Sequence, residues 1–220
     1  MYSILLPIIG LICIVIIVAI IWRFSSNRRS VPCPSWLGWL VELDNPILRN
    51  NRASEIISHL ELRPEMKVLD FGCGPGRLTI PIAKQIQSPG SVTAFDIQPA
   101  MLERVRVKAV RENLSNIDYV QGAAGEDKLG DHQYDRALLV TVLGEIPDKR
   151  VLLKEIYHSL KSGGWLSITE AIADPHFQTY RNVQDLAVGA GFKEIGFFGN
   201  RISFTVILEG PYLPSAQTAT

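Results

Sequence analysis

Three glycines at alternate positions, Gly72, Gly74 and Gly76, follow an acid, Asp70, at the end of an apolar run. A backbone without Cβ atoms turns sharply there and lets a ligand lie against the main chain itself. The run Lys67–Phe71 reads as a buried parallel strand, and a helix opens near Gly76. Its unpaired N–H groups face whatever sits over the turn, which favours a negatively charged or carboxylate-bearing ligand. A second apolar stretch, Ser91–Phe95, ends at Asp96, 24 residues after Gly72. A carboxylate at that place accepts hydrogen bonds from the two hydroxyls of a ribose. Asp70 occupies the carboxyl end of its own strand, the side on which open α/β sheets bind ligands. Cys73 lies inside the turn, where its backbone matters more than its thiol.

The elements that must hold these residues alternate in type. Ala53, Ile56, Ile57 and Leu60 mark a helical face over 53–62, and Pro64 closes it. A helix over 78–86 follows the glycine turn, and Ser88-Pro89-Gly90 stops it. Pro99 suits the first turn of the next helix, whose buried face is Met101, Leu102, Val105, Ala109 and Val110. Strands are expected at 117–120, 134–140 and 165–169, the last ending at Glu170. A helix over 151–160 stops at Lys161-Ser162-Gly163-Gly164. A loop over 172–180 carries His176. A helix over 184–190 and two terminal strands, 192–198 and 202–208, complete an α/β chain. Residues 210–220 show no periodicity and read as a loose tail.

From Val68 to Gly76 the chain resembles the class I S-adenosylmethionine-dependent methyltransferases, whose first motif is a hydrophobic pair, an acid and G-x-G-x-G. Its closest look is to the branch that methylates ubiquinone and menaquinone precursors. The Leu-Lys-x-Gly-Gly-x-Leu pattern at Leu160–Leu166 is a second landmark of that family. The resemblance implies a Rossmann-like seven-stranded sandwich of order 3-2-1-4-5-7-6, with the last strand antiparallel. It implies S-adenosylmethionine as cofactor, with Asp70, Gly72, Cys73, Gly74, Gly76 and Asp96 around it and Ile97 against the adenine. Relatives carry Gly-Asp-Ala after the third strand, where this chain has Gly122-Ala123-Ala124. Backbone groups of Ala123 and Ala124, or the Glu126 carboxylate, then stand in for the missing acid. In the family the end of strand four faces the reacting methyl group, which brings Thr141 and Glu145 to the acceptor side. Where an acceptor needs a base, Glu145, Glu170 and His176 are the candidates, in that order.

The 22 basic and 22 acidic residues balance, so no global field recruits nucleic acid. Cys13, Cys33 and Cys73 have no metal-ligand spacing, no metal is expected, and a reducing compartment fits. Ile4–Trp22 holds no charged residue and, at helical rise, spans about 29 Å, enough for a bilayer core. No basic residue precedes it and no small-x-small cleavage site follows, so it reads as an uncleaved anchor rather than a signal peptide. Arg23, Arg28 and Arg29 flank only its carboxyl side, which puts the following domain in the cytoplasm. The division expected is an anchor at 1–24, a linker or lid at 25–52, a catalytic domain at 53–210 and a tail at 211–220. Within the linker, Trp36, Leu37, Trp39 and Leu40 pack on the domain, lie on the bilayer or cover the substrate site. The function expected is methyl transfer to a small lipophilic acceptor. Rival readings are transfer to a soluble metabolite, cofactor binding without chemistry, and a nucleotide-dependent oxidoreductase, against which the glycine spacing argues.

Overall fold

The computed structural model describes Gly10 and residues 49–212. Apart from Gly10, the expected anchor over residues 4–22, the linker as far as residue 48 and the tail from residue 213 lie outside the described residues. Among the described residues, no helix is long and apolar enough to cross a membrane.

The elements are α1 (Ala53–Ser58), β1 (Lys67–Phe71), α2 (Thr79–Ile86), β2 (Ser91–Asp96), α3 (Pro99–Arg111), β3 (Ile117–Gln121), β4 (Tyr134–Val140), α4 (Lys149–Ser159), β5 (Leu160–Ala171), α5 (Tyr180–Ala190), β6 (Lys193–Asn200) and β7 (Ser203–Glu209). They form one seven-stranded sheet of order β3-β2-β1-β4-β5-β7-β6. The first five strands pair in parallel, and β7 runs antiparallel between β5 and β6. This is the order that the family resemblance implied.

Alternation along β1 explains the layers. Val68 faces one side and Leu69 the other, and both are fully buried. Val68 joins Ile56, Leu60, Ile82, Val92 and Val105 under α1, α2 and α3. Leu69 joins Phe95, Leu139, Leu152, Ile156 and Phe204 under α4 and α5. Each such aliphatic side chain contributes roughly 1.5–3 kcal/mol by leaving water. Two apolar layers clamp β1, and the turn that follows it inherits that rigidity.

Several expectations are corrected. Helix α1 ends at Ser58, two residues before the apolar face runs out. Lys161–Gly164 is no helix stop. Leu160 already pairs with Tyr134, and a register shift before the Arg136–Trp165 pair absorbs the intervening residues as a bulge. Helix α5 starts at Tyr180, because Thr179 accepts the Asn182 amide as its N-cap. Val110 faces out, at 73% exposure. The tail is held at its beginning: the Gly163 amide donates to the Pro211 carbonyl at 3.0 Å, and the Gly210 amide to Gly164 at 2.8 Å. The end of the linker is also fixed, since Asn50 Nδ2 donates to the Ser203 carbonyl and Arg77 donates to both oxygens of Asn51.

Candidate functional site

The carboxyl end of β1 opens directly into the glycine turn. The Gly72 and Cys73 amides both donate to the Phe95 carbonyl, at 2.8 and 3.0 Å, which ties the turn to β2. Gly72 has φ +73°, and a Cβ there would lie 2.5 Å from a Val142 methyl. A Cβ at Gly74 would meet nothing within 4 Å. The turn is therefore packed shut underneath and open above, which is the shape of a ligand floor. Asp70 is buried and accepts the Thr79 hydroxyl at 2.6 Å, and burial raises its pKa to about 6. It braces α2 against β1 from below. Thr79, which the sequence reading did not single out, supplies the hydroxyl.

Asp96 accepts the Gly74 amide at 2.9 Å on one oxygen and the Gln98 amide at 2.8 Å on the other. Burial raises its pKa, and these amide bonds oppose the shift. A carboxylate has about four lone-pair sites, so hydroxyl donors of a ribose still find acceptors. The next residue, Ile97, is 52% exposed and offers an apolar surface to an aromatic ring. Beyond it, the Gly122 amide donates to the Asp96 carbonyl, bringing Ala123 and Ala124 alongside. Glu126 accepts the Ala123 amide and pairs with Lys128 at 2.7 Å, which together hold its pKa down. The Glu126 carboxylate is thereby held beside Ala123, on an exposed side chain. The open floor, the ribose-type acid and the exposed Ile97 fit S-adenosylmethionine.

A second group of residues gathers at the carboxyl ends of β4 and β5. Thr141 closes β4 at φ +56°, a left-handed conformation that a β-branched residue rarely adopts. Its amide donates to Thr169 at 2.9 Å and its hydroxyl to the Val140 carbonyl at 2.7 Å. Glu145 ends the 3₁₀ turn Leu143–Glu145. Its Oε1 lies 3.7 Å from His176 Nδ1, and Asp174 Oδ1 lies 3.8 Å from the same nitrogen. Glu170 is 1% exposed and accepts the Gln178 amide at 2.9 Å. Its Oε1 has no hydrogen-bond partner among the described residues. Burial lifts its pKa to about 8; the Gln178 bond and Lys149 oppose this, while Asp174 and Glu145 add to it. Near neutral pH its carboxyl is therefore mostly protonated, and a donor rather than the base expected of it. Glu145, Glu170 and His176 do come together. Asp174, Lys149 and Gln178 were missed, because nothing in their local sequence sets them apart from loop and helix polar residues. No cluster able to hold a metal ion occurs among the described residues.

The model of a family described as a methyltransferase domain matches residues 68–164. A demethylmenaquinone methyltransferase of Staphylococcus aureus is 34% identical over 115 residues, covering 52% of this chain and 47% of that protein. The ubiquinone/menaquinone biosynthesis C-methyltransferase UbiE of Shewanella oneidensis is 34% identical over 125 residues, or 56% of this chain and 49% of that protein. The chain spans about half the length of these curated relatives. Among solved structures, a SAM-dependent methyltransferase from Aquifex aeolicus superposes with a TM-score of 0.71 at 18% identity, over 81% of this chain and 99% of that one. That likeness speaks for the fold. Residues 68–164, which hold the glycine turn, Asp96 and Thr141 to Glu145, thus match the methyltransferase-domain model, and the similarity is to methyltransferases whose cofactor is S-adenosylmethionine.

Proposed function

We propose that this chain is a membrane-anchored methyltransferase that moves a methyl group from S-adenosylmethionine to a small lipophilic acceptor, such as a quinone, isoprenoid or lipid precursor. The observation that carries the reading is the largely buried group Glu145, His176 and Glu170 at the same sheet end as the glycine turn. The quinone names of two relatives and the apolar run Ile4–Trp22 support the lipophilic class.

S-adenosylmethionine, when bound, supplies a methyl group already activated by its sulfonium. The residues of the chain then have two tasks. The first is alignment: Gly72, Gly74, Asp96 and Ile97 fix one partner, and the ends of β4 and β5 fix the other. The second is proton management. Glu145 beside His176 holds a proton taken from an acceptor hydroxyl or acidic ring carbon. Glu170, neutral near pH 7, donates a hydrogen bond to an acceptor oxygen.

The test uses the full chain in liposomes with labelled S-adenosylmethionine, offered extracted membrane lipids or soluble metabolites. Label should enter the lipid fraction. Label confined to soluble products would refute the lipophilic acceptor. Tight cofactor binding with no transfer to either would favour cofactor binding without chemistry, the reading that the Gly122-Ala123-Ala124 departure keeps open.

A further inference from the structure

Helix α3 buries Met101, Leu102, Val105 and Ala109 and turns its other face outward. That face carries Arg104, Arg106, Lys108 and Arg111. Among these bases sit Val107 at 60% exposure and Val110 at 73%. Glu103 lies 3.6 Å from Arg106 and offsets it, and Arg106 also lies over the Tyr119 ring; Glu112, just past the helix, lies 2.9 Å from Lys84, so Arg104, Lys108 and Arg111 carry the excess positive charge of the face. Beside the helix, a cleft of about 360 Å³ is lined by three bases, Arg77, Lys108 and Arg111, and one acid, Glu112, with Ala53 and Gly76 in its wall. Exposed valines ringed by arginine and lysine match the interface of an anionic bilayer, apolar just below a layer of phosphates.

The chain enters this domain at the same corner, since Ala53 lines the cleft. Residues 23–48 reach at most about 90 Å when extended, so the tether allows any face of the domain to meet the membrane. Chemistry, then, selects the face. We infer that the outer face of α3 and the Arg77–Lys108–Arg111 cleft dock on an anionic bilayer, with Val107 and Val110 entering the headgroup region and the cleft taking phosphate-bearing headgroups. The cleft adjoins the glycine turn, since Gly76 forms part of it and Lys108 Nζ donates to the Pro75 carbonyl at 2.8 Å. The inference rests on the membrane reading and not on methyl transfer.

The test labels the full chain at Val110→Cys with an environment-sensitive fluorophore, in a Cys13→Ser, Cys33→Ser background. Vesicles are phosphatidylcholine alone, or an equal mixture of phosphatidylcholine and phosphatidylglycerol. Emission should shift to the blue in the mixed vesicles only, and high salt should reverse the shift. Replacing Arg104 and Arg111 by Gln should weaken docking about thirtyfold. Retained S-adenosylmethionine binding shows that this variant is folded, and the salt series on the unsubstituted face stands without it. Equal emission in both vesicle types, or a shift that survives both salt and the double substitution, overturns the inference. Reversal by dilute inorganic phosphate alone, at matched ionic strength, would also overturn it by assigning the cleft to free phosphate.

Discussion

Replacing Glu170 by Gln removes a titration while keeping the side chain's shape and an acceptor for the Gln178 amide. The magnitude follows from where that titration falls. The carboxyl has an ordinary pKa of 4.5 and is lifted to about 8 by burial. Between those values the native protein keeps a proton that the unfolded chain has lost. Native stability therefore falls as pH rises through that window, by about 1.4 kcal/mol per pH unit. The glutamine variant escapes this loss. Its advantage over the parent should be absent below pH 4.5, reach about 3 kcal/mol at pH 7 and level off near 5 kcal/mol above pH 8. These are upper figures, since water entering the site relaxes them. Urea unfolding of both proteins by circular dichroism, repeated at several pH values, reads the difference directly. A constant difference across the series would mean that Glu170 ionises in the native state as it does in solvent. An advantage that shrinks with rising pH would mean that a cation holds the carboxylate charged. Either result removes the neutral donor. Activity gives a second reading: Glu170→Gln keeps an N–H donor and part of kcat, whereas Glu170→Leu loses it.

Asp96→Ala removes acceptors for two ribose hydroxyls, each hydrogen bond to a charged group being worth about 1.5–3 kcal/mol, so calorimetry should show S-adenosylmethionine binding at least tenfold weaker. Gly72→Ala places a methyl 2.5 Å from Val142 at φ +73°, at a cost of about 1–3 kcal/mol in a thermal melt. Adding Val142→Ala should recover only the steric part. Thr141→Gly relieves left-handed strain and should leave stability unchanged or raise it by about 1 kcal/mol, while kcat falls with the loss of a fixed acceptor wall. The full chain should stay in the pellet after alkaline carbonate washing of membranes; release would refute the anchor.

The glycine turn was legible because its chemistry is local. Strand, turn and the acid Asp96 lie within 30 residues of Lys67, and each position follows from residue type and period. Hydrophobic alternation likewise set the two layers on either side of β1. Failures came where tertiary pairing overrode a local signal. Gly163 and Gly164 carry the usual signature of a helix end, yet the Tyr134–Leu160 pairing draws them into β5. Val110 has the spacing of a buried residue. It is one position too far round α3, beyond the neighbours that cover Ala109.

The acid and histidine group was legible only in part, and Gly144 shows why. Glu145 and Glu170 were found from the ends of their strands, a position that sequence can assign. Their joining to His176 depends on a contact that no motif announces. Gly144 sits one residue before Glu145, and a Cβ there would overlap the carbonyl of His176. Only a glycine lets the 3₁₀ turn after β4 press on the loop after β5. That approach brings His176 within 3.7 Å of Glu145, and the Asp174 carboxylate holds the His176 amide at 2.7 Å from the other side. The Gln178 amide then completes the loop on Glu170. A glycine between an apolar leucine and an acid reads in sequence as loop punctuation. In the fold it is the residue whose missing side chain gives the acid its histidine.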